Sequence, residues 1–428
     1  MTESQDRMAF EQVNIIDGNT GDVVRGTTVL IHDGVIEAIL EDAEPRPDLA
    51  GYHRIRPTES TWMLPGLVNC HDHLMNKGLR HQPTGTAAHS AVRGWRADLF
   101  LRSPGFQALE SAKNAQWQLR QGVTTIRELS GPAVTDIEEP AYTNVDLRDA
   151  IENGLLGPRV LACRLAVAMT GGHGYPWYAL RQADGEDEVR KAVREQLRGD
   201  ADFIKIMASG GFSNFPKESP ETVEYSVKEL TAAREEAHRA GRLVTAHAIA
   251  NQGVINAVEA GIDTIEHGFL IEPETVRLMS EQGTSFVPTV SVVVRLSSGR
   301  GDLAAYARHA VQHHKAAVNE ALELGIDIGV GTDSRATMLE EMENLSKIYG
   351  LPVQTVLASA TGTAARICGL DDAGVIGVGK RADLIILGRN PHNGIRTAFK
   401  DILAVLKDGK VVFSLLPGLR DSHAHHRL

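Results

Sequence analysis

The sequence predicts an α/β protein that combines a parallel (β/α)8 barrel with a small β domain. Two observations lead to this prediction. Short apolar strands alternate with helical stretches through the middle of the 428-residue chain, and strand–turn–strand patterns fill both ends. Eight strand–helix units favour a closed barrel, with an open doubly wound sheet as the alternative. We place the β domain at residues 1–63 and 371–428 and the barrel at 64–370.

The two ends of the chain carry similar hairpin signals. Asp33-Gly34 joins two apolar runs near the start, and Asp408-Gly409 joins two more near the end. Asp-Gly pairs readily adopt the positive φ angles that two-residue hairpin turns need. We therefore expect hairpins at both places, in one domain built from both termini.

Eight apolar segments are the candidate strands of the barrel. They are the run that ends at His71 and the segments 122–129, 159–168, 202–209, 242–248, 263–268, 285–292 and 327–334. Gly241 and Gly261 stand where the helices between strands are expected to end. No GxGxxG motif opens the first unit, which argues against a dinucleotide-binding fold.

Residues able to bind a metal ion stand at the ends of these strands. His71 and His73 are two residues apart, so in a strand they face the same side. Four later strands supply the other candidates, which are Lys205, His247, His267 and Asp333. One strand-end histidine is usually structural, but the C-terminal ends of barrel strands converge on one cavity. The six residues together therefore predict a metal centre.

Composition argues against several other functions. The net charge of -11 and the pI of about 5.9 disfavour nucleic acid and anionic membranes as partners. Cys70, Cys163 and Cys368 are too widely spaced for a disulfide framework or a CxxC zinc site. No secretory signal and no membrane-spanning apolar run is visible. We expect a cytoplasmic protein with reduced thiols and a small-molecule substrate.

The ordered motifs resemble those of the amidohydrolase superfamily of metal-dependent hydrolases over nearly the whole chain. The matching motifs are LPGLVNCHDH, GVTTIREL, TGGHG, FIKIMASGG, TAHA, IEHG, GTDS, ATGTAARICGL, GVIGVGKRADLIIL and VLKDGKVV. The sequence most resembles the branch of imidazolonepropionase-like and Xaa-Pro or Xaa-Arg dipeptidase-like enzymes. This resemblance implies a (β/α)8 barrel with a β-sandwich formed by both chain ends. Such barrels commonly form homo-oligomers, so we expect one here.

The resemblance also implies a two-metal centre. Lys205 lies between two isoleucines, where burial lowers the pKa of an amine and a neutral amine can add carbon dioxide. In the two-metal branch, a strand-four lysine carries this carbamate, and Lys205 stands at the matching place. One ion would be held by His71, His73 and Asp333, the other by the histidines of strands five and six, and the carbamate would bridge them. Zinc is the expected metal, with cobalt, manganese and iron as alternatives.

The predicted reaction is hydrolysis of an amide C–N bond by metal-activated hydroxide, in an N-acyl amino acid or a dipeptide-like substrate. Asp333 is assigned as the general base that passes a proton to the leaving nitrogen. His173, in TGGHG, is expected to hydrogen-bond the carbonyl oxygen or the oxyanion, and a supporting loop histidine is the alternative.

Loop residues with aromatic or cationic side chains are the candidates for substrate binding. They are Tyr175, Tyr225 and Arg295, with Arg80, His81, Trp177 and Tyr178 in the same loops. Several dipeptidase-like relatives hold the substrate carboxylate with a tyrosine followed four residues later by an arginine, whereas Tyr225 is followed by Glu229. A neutral amide, carbamate or aryl-urea substrate is therefore one alternative. A one-metal cyclic-amide hydrolase or deaminase, which would lack the lysine, is another.

Overall fold

The computed structural model describes residues 6–41, 48–57, 61–76, 103–130, 142–175, 180–212, 218–334 and 336–421. The chain divides into two compact units. The first unit comprises Met1–Val68, Gln116–Thr125 and Leu345–Leu428, and the second unit comprises Asn69–Ala115 and Ile126–Asn344. The predicted domain boundaries at 63/64 and 370/371 stay predictions.

The strands, in chain order, are β1 (Arg7–Ile16), β2 (Val23–His32), β3 (Val35–Leu40), β4 (His53–Ile55), β5 (Trp62–Pro65), β6 (Leu67–Asp72), β7 (Val123–Glu128), β8 (Arg159–Ala162), β9 (Ala166–Ala168), β10 (Leu180–Gln182), β11 (Ile204–Met207), β12 (Val244–Ala248), β13 (Thr264–His267), β14 (Ser285–Val287), β15 (Leu384–Leu387), β16 (Ile402–Lys407) and β17 (Lys410–Ser414). The helices are α1 (Pro104–Arg120), α2 (Thr143–Glu152), α3 (Gly185–Arg198), α4 (Val227–Arg239), α5 (Asn251–Glu259), α6 (Pro273–Gln282), α7 (Val290–Ser297), α8 (Asp302–Glu323), α9 (Met338–Asn344), α10 (Val353–Ser359), α11 (Gly362–Ile367) and α12 (Ile395–Phe399).

One eight-stranded sheet organises the first unit. Its hydrogen-bonded order is β17–β16–β15–β5–β1–β2–β3, and β4 pairs with β1. Strands from both ends of the chain therefore share one sheet, as the sequence predicts. Apolar side chains of early and late strands, such as Phe10, Ile31 and Leu406, form its buried core. These contacts join the two ends of the chain in one hydrophobic cluster.

Both predicted hairpins are confirmed. Asp33 and Gly34 have φ angles of 48° and 81°, and Asp408 and Gly409 have φ angles of 48° and 70°. The strands on either side pair antiparallel, β2 with β3 and β16 with β17. Positive φ at both central residues is the turn geometry that matches the twist of the flanking strands.

Parallel strands organise the second unit. A six-stranded sheet has the order β10–β9–β11–β12–β13–β14, and its pairs are parallel. A further sheet contains β6, β7 and β8. The eighth predicted strand, 327–334, forms isolated parallel bridges from Ile328 to Phe286 and from Asp333 to Asp72. The second unit is thus a parallel α/β structure, as the sequence predicts.

Two predicted strands are interrupted by residues with left-handed backbone conformation. Segment 159–168 is divided into β8 and β9, since Arg164 between them has a left-handed φ of 65°. Segment 285–292 is extended only to Val287, because Pro288 and the left-handed Thr289 end the strand and α7 begins at Val290. Arg164 gives little sequence signal of a turn, whereas Pro288 is a signal that the strand prediction passed over.

The predicted helix ends are confirmed. Gly241 and Gly261 follow α4 and α5 with φ angles of 68° and 75°. Helix α4 starts with a capping box, in which the side chains of Ser226 and Glu229 each accept a hydrogen bond from the other residue's backbone. Among the helices of the described ranges, none combines the length and apolarity needed to cross a membrane.

Candidate metal centre

The second unit brings the predicted metal ligands together. The ring centroids of His71 lie 5.3 Å from His73 and 4.9 Å from His267, and those of His247 and His267 lie 4.6 Å apart. The Nε2 atom of His73 lies 3.6 Å from Oδ1 of Asp333. One ligand atom each of His71, His267 and Asp333 can be chosen so that all lie within 4.8 Å of one another. We call these five residues and Lys205 the metal-site cluster.

The local backbone explains how the cluster forms. The backbone amides of Thr332 and Asp333 both donate to the carbonyl oxygen of His71, at 2.8 and 2.9 Å. This contact joins the end of the eighth predicted strand to the end of β6. His267 and Asp333 have left-handed φ angles of 75° and 52°, a conformation that costs free energy and is frequent at functional sites.

Burial keeps three histidines of the cluster in the neutral form. Burial lowers the pKa values of His71, His247 and His267 well below 6.5, and the nearby Lys205 ammonium lowers them further. Neutral imidazole is the form that binds a metal ion. The cluster can therefore accept metal near neutral pH without first losing protons from these rings.

Lys205 lies on β11 with its side chain fully buried. Among the described residues, its Nζ atom has no hydrogen-bond partner. Burial lowers the pKa of this amine to about 8, although the carboxylate of Glu266 acts in the opposite direction. An amine with so low a pKa is partly neutral at physiological pH, and a neutral amine can form a carbamate. The orphaned buried nitrogen beside three neutral histidines thus fits a carbamate-bridged pair of divalent ions.

The structure adds a buried ionic network that sequence reasoning missed. Glu266 accepts hydrogen bonds from Nδ1 of His71 at 2.6 Å, from Nη2 of Arg127 at 2.5 Å and from the Thr245 hydroxyl. Arg127 also donates from Nε to the carbonyl oxygen of Cys70 at 2.6 Å. The available signal was the presence of charged residues inside the apolar strands of IEHG and GVTTIREL.

His173 lies against the metal-site cluster. Its ring stacks on that of His247, with centroids 3.9 Å apart and an interplanar angle of 16°. Its Nδ1 donates to the carboxylate of Glu218, and its backbone amide donates to Oε1 of Glu224 at 2.7 Å. A Cβ at Gly211 would lie 2.3 Å from the His173 ring, so only glycine fits there. Glu218 and Glu224 carry no distinguishing sequence signal, and their partners became visible only in the structure.

The predicted substrate residues have other contacts. Tyr225 is buried, and its hydroxyl donates to the carbonyl oxygen of Ala183 at 2.7 Å. Arg295 pairs with Glu340 at 2.8 Å, and Tyr175 is 52% exposed. These contacts occupy the Tyr225 hydroxyl and pair the Arg295 guanidinium with a carboxylate, so both substrate roles stay predictions without support from the geometry. The loop candidates Arg80, His81, Trp177 and Tyr178 lie outside the described residues.

Glu229 accounts for the departure from the dipeptidase-like tyrosine–arginine pattern. Its carboxylate accepts hydrogen bonds from the backbone amides of Ser226 and Gly185, both at 2.9 Å. Glu229 stands at the position that several dipeptidase-like relatives fill with arginine. Here its carboxylate holds the starts of α3 and α4 instead.

The fold and the site together define the class of the protein. Neutral buried imidazoles around a carboxylate suit divalent metal ions, and they lie where parallel α/β enzymes carry their chemistry. The class is that of metal-dependent hydrolases. Comparison with known families then identifies the group: the chain belongs to the amidohydrolase family, whose sequence model matches residues 62–412.

Individual relatives agree with this family and with the dipeptidase-like branch. Ochratoxinase from Aspergillus niger is 29% identical over 91% of this chain and 84% of the relative. The crystal structure of that species' ochratoxinase has a TM-score of 0.80 and 26% identity, covering 96% of each chain. A putative prolidase from Bifidobacterium longum has a TM-score of 0.78 and 29% identity, covering 96% of this chain and 95% of that chain. A Xaa-Pro dipeptidase crystallised with methionine in its active site has a TM-score of 0.78 and 26% identity, covering 95% and 99%.

Proposed function

We propose that this protein is a binuclear metal-dependent hydrolase that cleaves an amide bond in an N-acyl amino acid or dipeptide-like substrate. The observation that carries the proposal is Lys205, a fully buried amine with no hydrogen-bond partner among the described residues, placed beside neutral histidines. Relatives named as a Xaa-Pro dipeptidase, a prolidase and an ochratoxinase support the substrate class.

The side chains of the metal-site cluster would hold two divalent ions, most simply zinc, with a carbamate on the lysine. They are His71, His73 and Asp333 for one ion, His247 and His267 for the other, and Lys205 for both. Bound ions of this kind lower the pKa of a water molecule and polarise the carbonyl group of a substrate.

Asp333 and His173 would supply the proton transfers and the polar contacts. The Asp333 carboxylate, which accepts a hydrogen bond from the Ser334 hydroxyl at 2.6 Å, would take a proton from the attacking water and pass it to the leaving nitrogen. The carboxylate of Glu218, which contacts Nδ1, would hold the His173 ring in place as a hydrogen-bond donor to the substrate's carbonyl oxygen.

The proposal also covers the closed barrel, the form of the small domain, the oligomeric state and the cellular location. A closed (β/α)8 barrel is supported by backbone hydrogen bonds from Cys70 to Val330 and from Phe286 to Asp327, which connect the eighth predicted segment with β6 and β14. A β-sandwich form of the small domain and a homo-oligomer follow from the family resemblance. A cytoplasmic location is supported by three free, buried cysteines.

A second candidate is a hydrolase of a neutral amide, carbamate or aryl-urea compound. The observation that favours it is Glu229, a carboxylate at the position where several dipeptidase-like relatives hold the substrate carboxylate with arginine. A further carboxylate, Glu218, lies beside His173 and would repel an anionic substrate.

A matched substrate panel separates the two candidates. The enzyme, prepared with added zinc and bicarbonate, is assayed on dipeptides and N-acyl amino acids and on the same compounds with the carboxylate converted to an amide. The lead proposal predicts a higher kcat/KM for the compounds with a free carboxylate. The substitution Asp333→Asn removes the general base and should lower kcat by roughly 10²- to 10⁴-fold. Faster cleavage of the amidated compounds, or of carbamates and aryl ureas, would favour the second candidate. No cleavage of any compound by metal-loaded protein would reject both.

A further inference from the structure

Glu266 is a fully enclosed carboxylate beside the metal-site cluster. It lies on β13 directly before His267 and has 0% of its surface exposed. Neighbouring residues of a strand normally point to opposite faces. The left-handed φ of 75° at His267 interrupts that alternation, so that both Glu266 and His267 contact His71.

Both oxygens of the Glu266 carboxylate are occupied. Oε2 accepts the Nδ1–H of His71 at 2.6 Å, while Oε1 accepts from Nη2 of Arg127 at 2.5 Å and from the Thr245 hydroxyl. A fully enclosed carboxylate that already accepts three hydrogen bonds is poorly placed to bind a metal ion or to take a proton from water. Its contacts point instead to an effect on His71.

Arg127 holds this carboxylate in place. The guanidinium is 2% exposed and also donates from Nε to the carbonyl oxygen of Cys70, one residue before His71. Removing one partner of a fully buried ion pair is costly, so each charge depends on the other. Arg127 therefore connects the strand of His71 with the strand of Glu266.

We propose that Glu266, held by Arg127, is a positioning residue that fixes the His71 ring and its tautomer for metal binding. Accepting the Nδ1–H leaves the lone pair on Nε2, which makes Nε2 the ring nitrogen that can bind an ion. The proposal rests on the proposed metal-dependent function, but the tautomer of His71 can be read without any metal.

The substitution Glu266→Gln tests the proposal sharply. Arg127 and Thr245 both need an acceptor, so the amide oxygen of the glutamine takes the place of Oε1 and its NH₂ group faces His71. That NH₂ group requires a lone pair on Nδ1, which moves the His71 proton to Nε2. We expect metal affinity, measured by competition with a chelator, to fall roughly 10- to 100-fold, with the circular dichroism of the metal-free protein unchanged.

Glu236→Gln is the matched control. Glu236 is also a buried carboxylate, and it accepts hydrogen bonds from Arg190, Arg194 and Arg239. Its substitution removes a buried charge that lies outside the metal-site cluster, so metal affinity should equal that of the parent. Parent-like metal affinity in a folded Glu266→Gln variant would overturn the proposal.

The tautomer gives a second measurement that needs no substituted Glu266. In metal-free protein with ¹⁵N-labelled histidine, the His71 signals are identified by their absence in His71→Asn. We expect the proton on Nδ1 in the parent, and a proton on Nε2 would overturn the proposal even if Glu266→Gln fails to fold. If the parent binds no metal, the proposed function fails, whereas the tautomer still decides the role of Glu266.

Discussion

At the scale of single residues, the chemistry depends on which protons the buried groups keep. Burial holds three histidines of the cluster neutral, lowers the pKa of Lys205 and raises the pKa of Glu224 to about 7. The carboxylate of Glu218 accepts a hydrogen bond from Nδ1 of His173. One loop carboxylate therefore holds the ring of the histidine that we propose to contact the substrate.

Glu218→Gln should loosen this contact. The glutamine side chain lacks the negative charge that strengthens the hydrogen bond to Nδ1, so the His173 ring is held less firmly, and we expect kcat to fall by roughly 10²-fold with little change in KM. Steady-state kinetics provide the measurement.

Glu221→Gln serves as the control for Glu218→Gln. Glu221 belongs to the same part of the chain, but it accepts its hydrogen bond from the Tyr306 hydroxyl at 3.0 Å. Its substitution should leave kcat as in the parent. A parent-like kcat for Glu218→Gln would remove the Glu218–His173 contact from the proposed mechanism.

At the scale of elements, one helix start supports the metal-site cluster. Helix α7 follows Thr289, whose hydroxyl lies 2.8 Å from Nδ1 of His267. The side chain of Thr289 does not cap the helix. Instead, Glu341 of α9 accepts hydrogen bonds from the backbone amides of Val290 and Ser291, at 2.5 and 2.8 Å. A carboxylate from another helix thus satisfies the first amides of α7.

Glu341→Gln should change how stability depends on pH. Burial raises the pKa of Glu341 to about 7 from 4.5, although hydrogen bonds from Ser291 and Val290 act to lower it. The folded state therefore binds more protons than the unfolded state between these values, so the Glu341 contribution to stability falls as pH rises through this window. The glutamine of the variant does not ionise, so its stability lacks this pH-dependent contribution.

Urea unfolding of both proteins between about pH 4.5 and pH 7 measures the effect. The free energy of unfolding of the parent, relative to that of the variant, should fall by on the order of 2–3 kcal/mol across the window. A difference that stays constant with pH would show that Glu341 is ionised in the folded protein throughout.

At the scale of the whole molecule, the strand–helix rhythm predicts most of the architecture. Parallel strands place their C-terminal ends on one edge, which is why His71, His247 and His267 could be predicted as neighbours from residues far apart in sequence. The sheet that contains strands from both chain ends was predicted from the turn signals at Asp33 and Asp408.

The contacts of three other residues could not be predicted from the sequence, for physical reasons. Glu266 contacts the cluster because His267 leaves the extended conformation. No sequence pattern predicts a left-handed φ at a histidine. Glu341 caps a helix that begins 51 positions earlier, so no local signal marks it. Tyr225 stays a predicted substrate residue, and the hydrogen bond from its hydroxyl to Ala183, 42 positions away, has no local sequence signal.

The proposed function depends most on Lys205, which we propose to bridge two metal ions. The most direct test is the metal content per chain of protein grown with bicarbonate and ending at Asp421, a truncation that removes His423, His425 and His426. Lys205→Ala is compared with the parent and with Lys228→Ala, which removes an exposed lysine of α4. We predict two metal ions per chain in the parent and in Lys228→Ala, and fewer in Lys205→Ala. One ion per chain in all three proteins would contradict the account and make Lys205 a structural residue of a one-metal enzyme.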